Sequence, residues 1–317
     1  MRRLLFVLLV GVATSAITAA GASDKEWRAT VIARAHVWEA TDILSKDLRA
    51  GPSGEKAFQF LETVTCRYDR KKLPGKTPKF ACIVDPDDEL KVKYGGTNGE
   101  VYAEVAATRL MWALGFGADG QYPVKVVCRG CPPEISGIIR SPQETIVDPA
   151  IIERKMHGAP FEPDDTWGWG ELDRVDERAG GAPLAHRDAL KLLAVFLQSS
   201  DNKAEQQRLI CRDQPKEKKK GKGEGHEHEQ MQCEHPFMYM HDVGMTFGRA
   251  NKLNQGHVGA MNLVEWSGTP VRKKWQLSHS GRLRCADRPR NFSPSLASRG
   301  TRLRRFSSPA KRLAVAA

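Results

Sequence analysis

Hydrophobic and polar residues alternate with period two over residues 89–94, the run Glu-Leu-Lys-Val-Lys-Tyr, which predicts a half-buried strand. Two further strand-like runs precede it, 58–68 and 79–84, separated by the turn Arg70-Lys71-Lys72-Leu73-Pro74-Gly75. Gly95-Gly96 and Asn98-Gly99 end the third strand. Residues 100–114 then read as a helix, with Val101, Val105, Leu110, Met111 and Leu114 apolar and Gly115 stopping it. Residues 121–129 and 151–156 predict two more strands, and the Gly- and charge-rich stretch 168–182 a linker. A second helix, 186–198, rests on Leu190, Leu193, Ala194 and Leu197 and stops at the polar turn Ser199-Ser200-Asp201-Asn202. A strand from Gln207 to Cys211 is expected to pair, across an insertion, with 237–241, where Met238 and Met240, with Met245 beyond, read as core. Residues 24–57, with Trp27 and Trp38, give mixed signals and read as an extended arm. No internal repeat is visible, and the class is α+β: a β-rich half with one helix, then a more helical half with a hairpin.

Charge changes this picture only locally. The formal net charge of +11 over 317 residues suggests a polyanion partner. Most of it lies in three segments outside the predicted elements: Arg2 and Arg3, the run 215–222 (PKEKKKGK), and the Arg-rich stretch 286–317. Without them the body is near neutral. The Lys run has no interleaved aromatics on which bases could stack, and no nucleic-acid partner is expected; a polyanion-binding surface protein remains as one alternative function. Residues 1–22 have a basic start, an apolar stretch from Leu4 to Val10 and the small-residue site Ala20-Gly21-Ala22, the pattern of a secretory signal. No later segment is apolar enough to span a membrane. The expected organisation is a signal (1–22), an arm and β-rich N-lobe (23–160), a C-lobe with a Lys/His-rich insertion at 213–235 (161–285), and a basic disordered tail (286–317). The character of the chain changes after about Ser280, as in a divergent or frame-shifted terminus. The expected location is periplasmic or secreted.

Seven cysteines in an exported chain leave one unpaired. Cys66 and Cys82 flank the first turn, and Cys211 and Cys233 flank the insertion; both pairs read as structural disulfides. Cys128 and Cys131 form a CxxC whose following Pro132-Pro133 argue against a redox helix, leaving a local disulfide or a bridge from one of them to Cys285. In the insertion, His226, His228 and His235 with Glu227 and Glu229 read as a solvated loop, with transition-metal binding as the alternative.

Four residues stand in the order that phosphoryl transfer uses: Lys93 on a strand, Glu104 in the next helix, Asp201 in a turn and Asp242 after a hairpin strand. Lys91, on the same strand face as Lys93, is the alternative cation. The local strings Val92-Lys93-Tyr94-Gly95, Glu104-Val105-Ala106-Ala107-Thr108-Arg109-Leu110, Asp201-Asn202-Lys203 and Met240-His241-Asp242-Val243-Gly244 resemble the atypical kinase-like proteins, a grouping of secretory-pathway, HipA-type and phosphatidylinositol kinases. The resemblance covers roughly residues 80–250 and implies a two-lobed kinase-like fold, shortened at its C-terminus if the tail is foreign. It further implies ATP as cofactor with Mg²⁺ or Mn²⁺ and a protein hydroxyl as acceptor. Lys93 would contact the nucleotide phosphates and Glu104 would pair with it. Asp201 would be the catalytic acid-base group and Asp242 a metal ligand. Gln206 stands where the family has a second, Asn, ligand, and Asn202 and Lys203 replace the Arg and His of its catalytic loop. A catalytically inactive binding module on the same fold is the other alternative. The triplet His186-Arg187-Asp188 spells a eukaryotic-kinase motif, but Leu193 takes the place of its Asn, and it reads as the start of a helix.

Overall fold

Alternation of inward apolar and outward polar residues shapes the first half of the chain. The computed structural model describes residues 24–161, 164–214 and 232–248. Strands β1 (Glu62–Asp69), β2 (Lys79–Val84) and β3 (Asp88–Tyr94) form an antiparallel meander. After helix α2 (Gly99–Ala113) come β4 (Gly120–Arg129), the two-residue β5 (Ile139–Arg140) and the long β6 (Glu144–Arg154). β4 pairs with β1 in parallel, β6 pairs antiparallel with β4 along one edge, and residues 150–153 of β6 pair with β3 along the other. Each of these five strands therefore has two neighbours, and the sheet closes into a barrel with β5 appended to β6. Val64, Cys66, Phe80, Cys82, Leu90, Val92, Tyr122, Val124, Val126 and Ile152 fill its interior. An irregular register between Val124 and Val126 bends β4 where β6 turns from one neighbour to the next.

The remaining described residues form a second layer against the outside of the barrel. Residues 24–33 (α1) are helical, α3 (Trp169–Leu172) is one turn, and α4 (Leu184–Phe196) is the longest helix of this half. Strands β7 (Ala159–Pro160), β8 (Gln207–Cys211) and β9 (Pro236–Met240) make a three-stranded antiparallel sheet. The main core of this layer gathers Ile32, Val37, Ala107, Met111, Trp167, Leu190, Leu197, Leu209 and Met238. Trp167 is fully buried, its indole N–H donating to the carbonyls of Arg208 and Tyr239 at 2.9 and 3.3 Å. This core draws on both sides of residue 160, where the sequence places a boundary.

Two expectations are corrected here. The two-lobed kinase-like architecture, with a β-rich N-lobe and a more helical C-lobe, is not formed. The first half is a closed five-stranded barrel of mixed direction rather than an open antiparallel lobe, because β1 finds a parallel partner in β4 and β6 reaches β3. In the second half Gly180, at φ +93°, ends a short helical turn, and among the described residues only α4 exceeds one turn after residue 161. Residues 24–57 are not an extended arm either: α1 buries Val31 and Ile32, and His36 and Trp38 bridge to Phe237 and Phe116. The signal, the charged run 215–222, the insertion histidines His226 and His228, Cys285 and the basic tail lie outside the described residues. No described helix is long and apolar enough to cross a membrane.

Candidate functional site

The outer face of β3 carries Lys91 and Lys93, since Leu90, Val92 and Tyr94 take the inner one. α2 packs against β4 and β6 and reaches that outer face through Glu100 and Glu104. Its start is fixed by Asn98, whose side chain accepts from the Glu100 amide at 3.2 Å, and its end by Gly115, at φ +83°, where a Cβ would lie 2.0 Å from the Glu39 carbonyl. This sets Glu100 and Glu104, one turn apart, over the end of β3. Lys93 is 2% exposed; its Nζ lies 2.5 Å from Glu104 Oε1, 3.6 Å from Glu100 Oε2 and 3.5 Å from Asp242 Oδ1. Lys91 is engaged elsewhere, by Glu153, its cross-strand neighbour on β6.

Asp201 and Gln206 join this centre through the backbone. The side-chain amide of Gln206 donates from Nε2 to Asp201 Oδ2 at 3.0 Å, and its backbone carbonyl accepts from the His241 and Asp242 amides at 2.8 and 3.3 Å. The turn after α4 is tied to the same segment: Ser200 N donates to the Met245 carbonyl at 3.0 Å and Phe247 N to that of Leu197 at 2.6 Å. Lys203 pairs with Asp201 at 3.2 Å. Lys93, Glu104 and Asp242 are thus in direct contact, and Asp201 and Gln206 form a second pair that touches Asp242 by its backbone. The His186-Arg187-Asp188 triplet lies in the first turns of α4, with Asp188 turned to Lys191.

Three carboxylates around one ammonium cannot all hold their charge cheaply in a buried place. Burial, together with the Asp242 charge, pushes the Glu104 carboxyl up to about 8 against the pull of Lys93. Burial also works against Asp242, yet Lys93 and a hydrogen bond from Glu104 hold its carboxyl well below the usual range. Burial would lower the Lys93 ammonium, but Glu104 and Asp242 override it and raise it. Glu104, the most buried of the three, therefore carries the proton, and Lys93 and Asp242 carry the charges. Glu104 Oε2 is buried and has no donor of its own. Two facing carboxyl groups, one with an orphaned oxygen, suit a proton or a hard divalent cation such as Mg²⁺ or Mn²⁺.

Behind Asp242 lies a network that sequence reasoning missed. Asp119, buried between α2 and β4, accepts from Lys155 Nζ at 3.1 Å, Tyr239 OH at 3.0 Å and Met156 N at 2.9 Å, with His241 Nδ1 at 2.6 Å. With its proton on Nδ1 the His241 ring donates to Asp119 and leaves Nε2 to accept from Lys155 at 3.2 Å. Despite full burial Asp119 is held far below the carboxylate range by Lys155 and His241. The oxygens of Asp119 and Glu153 and a ring nitrogen of His241 lie within 4.8 Å of one another, a spacing a metal fits, but the Lys155 ammonium already stands there, 2.5 Å from Glu153. In the sequence Asp119 sits in a Gly-Ala-Asp-Gly run that reads as a turn; the only signal was that His241 adjoins Asp242.

Cys66 is bonded to Cys82 and Cys211 to Cys233; Cys128 bonds Cys131 locally, which settles the open CxxC pairing. Asp213 lies beside Cys211 and Cys233, but the disulfide removes both thiolates from any metal. Comparison with family models, with curated proteins and with solved structures finds no match to the chain.

Proposed function

We propose that this chain binds ATP with Mg²⁺ or Mn²⁺ and transfers the γ-phosphoryl group to a hydroxyl, that of a protein side chain. The observation that carries the reading is Lys93: a buried ammonium from a strand, gripped by Glu104 from the next helix and by Asp242 from a segment far along the chain. The site, and not the closed-barrel fold, supports this chemistry. Glu104, Asp242 and the side-chain oxygen of Gln206 would hold the cation, whose chemistry would be to neutralise the phosphate oxygens. Asp201, half-buried and oriented by Gln206, accepts the proton of the attacking hydroxyl as its oxygen bonds to the γ-phosphorus and ADP leaves. Lys93 keeps the carboxylates in place. Three disulfides fit an oxidising compartment. With the leader-like residues 1–22 they support a periplasmic or secreted location.

The test is thermal denaturation of the full chain with ATP and Mg²⁺ or Mn²⁺, followed by transfer from γ-labelled ATP to protein acceptors. A ligand at 100 times its Kd stabilises by about 2.7 kcal/mol, an easily read rise in Tm. Transfer should be lost in Asp201→Ala while the thermal shift persists. No shift with any nucleotide–metal combination refutes the reading. A shift without transfer in wild type makes the chain a nucleotide-binding module.

A further inference from the structure

The lysines on the face that carries the site are not equally available. Lys91 is committed to Glu153 and Lys93 to Glu104, Glu100 and Asp242. Lys79, at the start of β2, is directly opposite Lys93 across the β2–β3 ladder, so both side chains leave on one face. It is half-buried and has no ion-pair partner among the described residues. Its segment is tied to the site: Thr77 Oγ1 donates to Glu100 Oε1 at 2.8 Å, and the Lys79 ammonium rests over Gly75, 2.7 Å from where a Cβ would be. Burial and the neighbouring Lys93 and Lys91 charges lower its ammonium, while Asp242 and Glu100 draw it the other way. An ammonium desolvated beside like charges, with no carboxylate of its own, is relieved by an incoming anion.

We infer that Lys79 is the residue that grips the ligand's polyphosphate, while Lys93, its charge taken up by Glu104 and Asp242, positions the carboxylates. This inference rests on the reading of the site as phosphate-binding. It assigns the phosphate contact to a different lysine from the one that the local strings indicate. Gly75 leaves room for the Lys79 side chain to lie along the turn, and Thr77 holds that turn against α2.

The experiment measures binding of ATP–Mn²⁺, inorganic tripolyphosphate and adenosine to the full-length wild type, Lys79→Met and Lys79→Arg by equilibrium titration. Lys79→Met should weaken ATP–Mn²⁺ and tripolyphosphate roughly 10- to 100-fold, the loss of one charge-assisted contact. It should leave adenosine affinity and Tm unchanged, and Lys79→Arg should stay within a few-fold of wild type. Equal ATP–Mn²⁺ affinity in wild type and Lys79→Met overturns the inference and leaves the proposed function standing. Lys79-dependent binding of tripolyphosphate without ATP binding supports the inference and removes the nucleotide reading. Wild type that binds neither overturns both.

Discussion

Replacing Glu104 with Gln tests the charge state on which the site is built. Glu104 is 1% exposed, and its carboxyl is raised from an ordinary value of 4.5 to about 8. A raised acid favours folding while it keeps its proton. Its contribution is complete below the unfolded value and declines as pH climbs toward 8, because the unfolded chain ionises freely while the fold resists. Each pH unit in that window corresponds to about 1.4 kcal/mol, so between about pH 5.5 and 8 the wild type loses roughly 3 kcal/mol through this one group. Relaxation around the cluster makes that figure an upper bound. Gln keeps the acceptor for Lys93 and has nothing to ionise. Guanidinium unfolding followed by tryptophan fluorescence in EDTA, at several pH values, should show the two proteins alike at about pH 4. Glu104→Gln should then become progressively more stable than wild type as pH rises. Parallel stability profiles would mean that Glu104 is ionised throughout and paired as a simple salt bridge with Lys93, and the assignment of the proton would fall.

Other consequences follow from the network and the barrel. Asp119→Asn removes one of the two carboxylates that face Lys155 and leaves an amide among His241, Tyr239 and the Met156 amide, so it should cost about 1–3 kcal/mol in urea unfolding; an unchanged midpoint would show that the network is not formed. Cys66→Ala with Cys82→Ala opens a link of sequence separation 16 between two buried barrel positions. The cost should be about 3 kcal/mol, read as a lower denaturant midpoint, and none if the bond is absent from the folded protein.

Local features of this chain were legible in its sequence, and non-local ones were not. β2 spans the strand-like run 79–84, β3 begins one residue before the alternating run 89–94, and α2 differs from its predicted bounds by one residue at each end. Its buried face was misjudged: Ala103, Ala107 and Met111 point inward with Glu104, Thr108 and Arg109, while Val105 and Leu110 are only partly covered. A helix that lays small and charged residues on a barrel has little apolar periodicity to show. Barrel closure depends on the β1–β4 and β3–β6 pairings, between strands far apart in sequence, and alternation within a strand says nothing about its neighbours. Within 24–57, Trp27 and Trp38 gave no sign of packing because their partners lie beyond residue 110: Trp27 packs on Phe161 at 5.7 Å, and Trp38 donates to the Leu114 carbonyl at 2.7 Å. Lys93, Glu104, Asp201 and Asp242 could be singled out because chemistry restricts which residue types can serve. Lys79 and Asp119 could not, since each becomes notable only through what the fold sets beside it.

Lys93 and Asp242 are proposed to form a metal-dependent nucleotide site. Equilibrium dialysis of ATP against the full-length protein, with and without Mn²⁺, measures it directly in wild type, Lys93→Met and Asp242→Asn. Binding in wild type should require Mn²⁺ and should be lost in both variants. Binding that ignores Mn²⁺ or survives both substitutions would contradict the proposal.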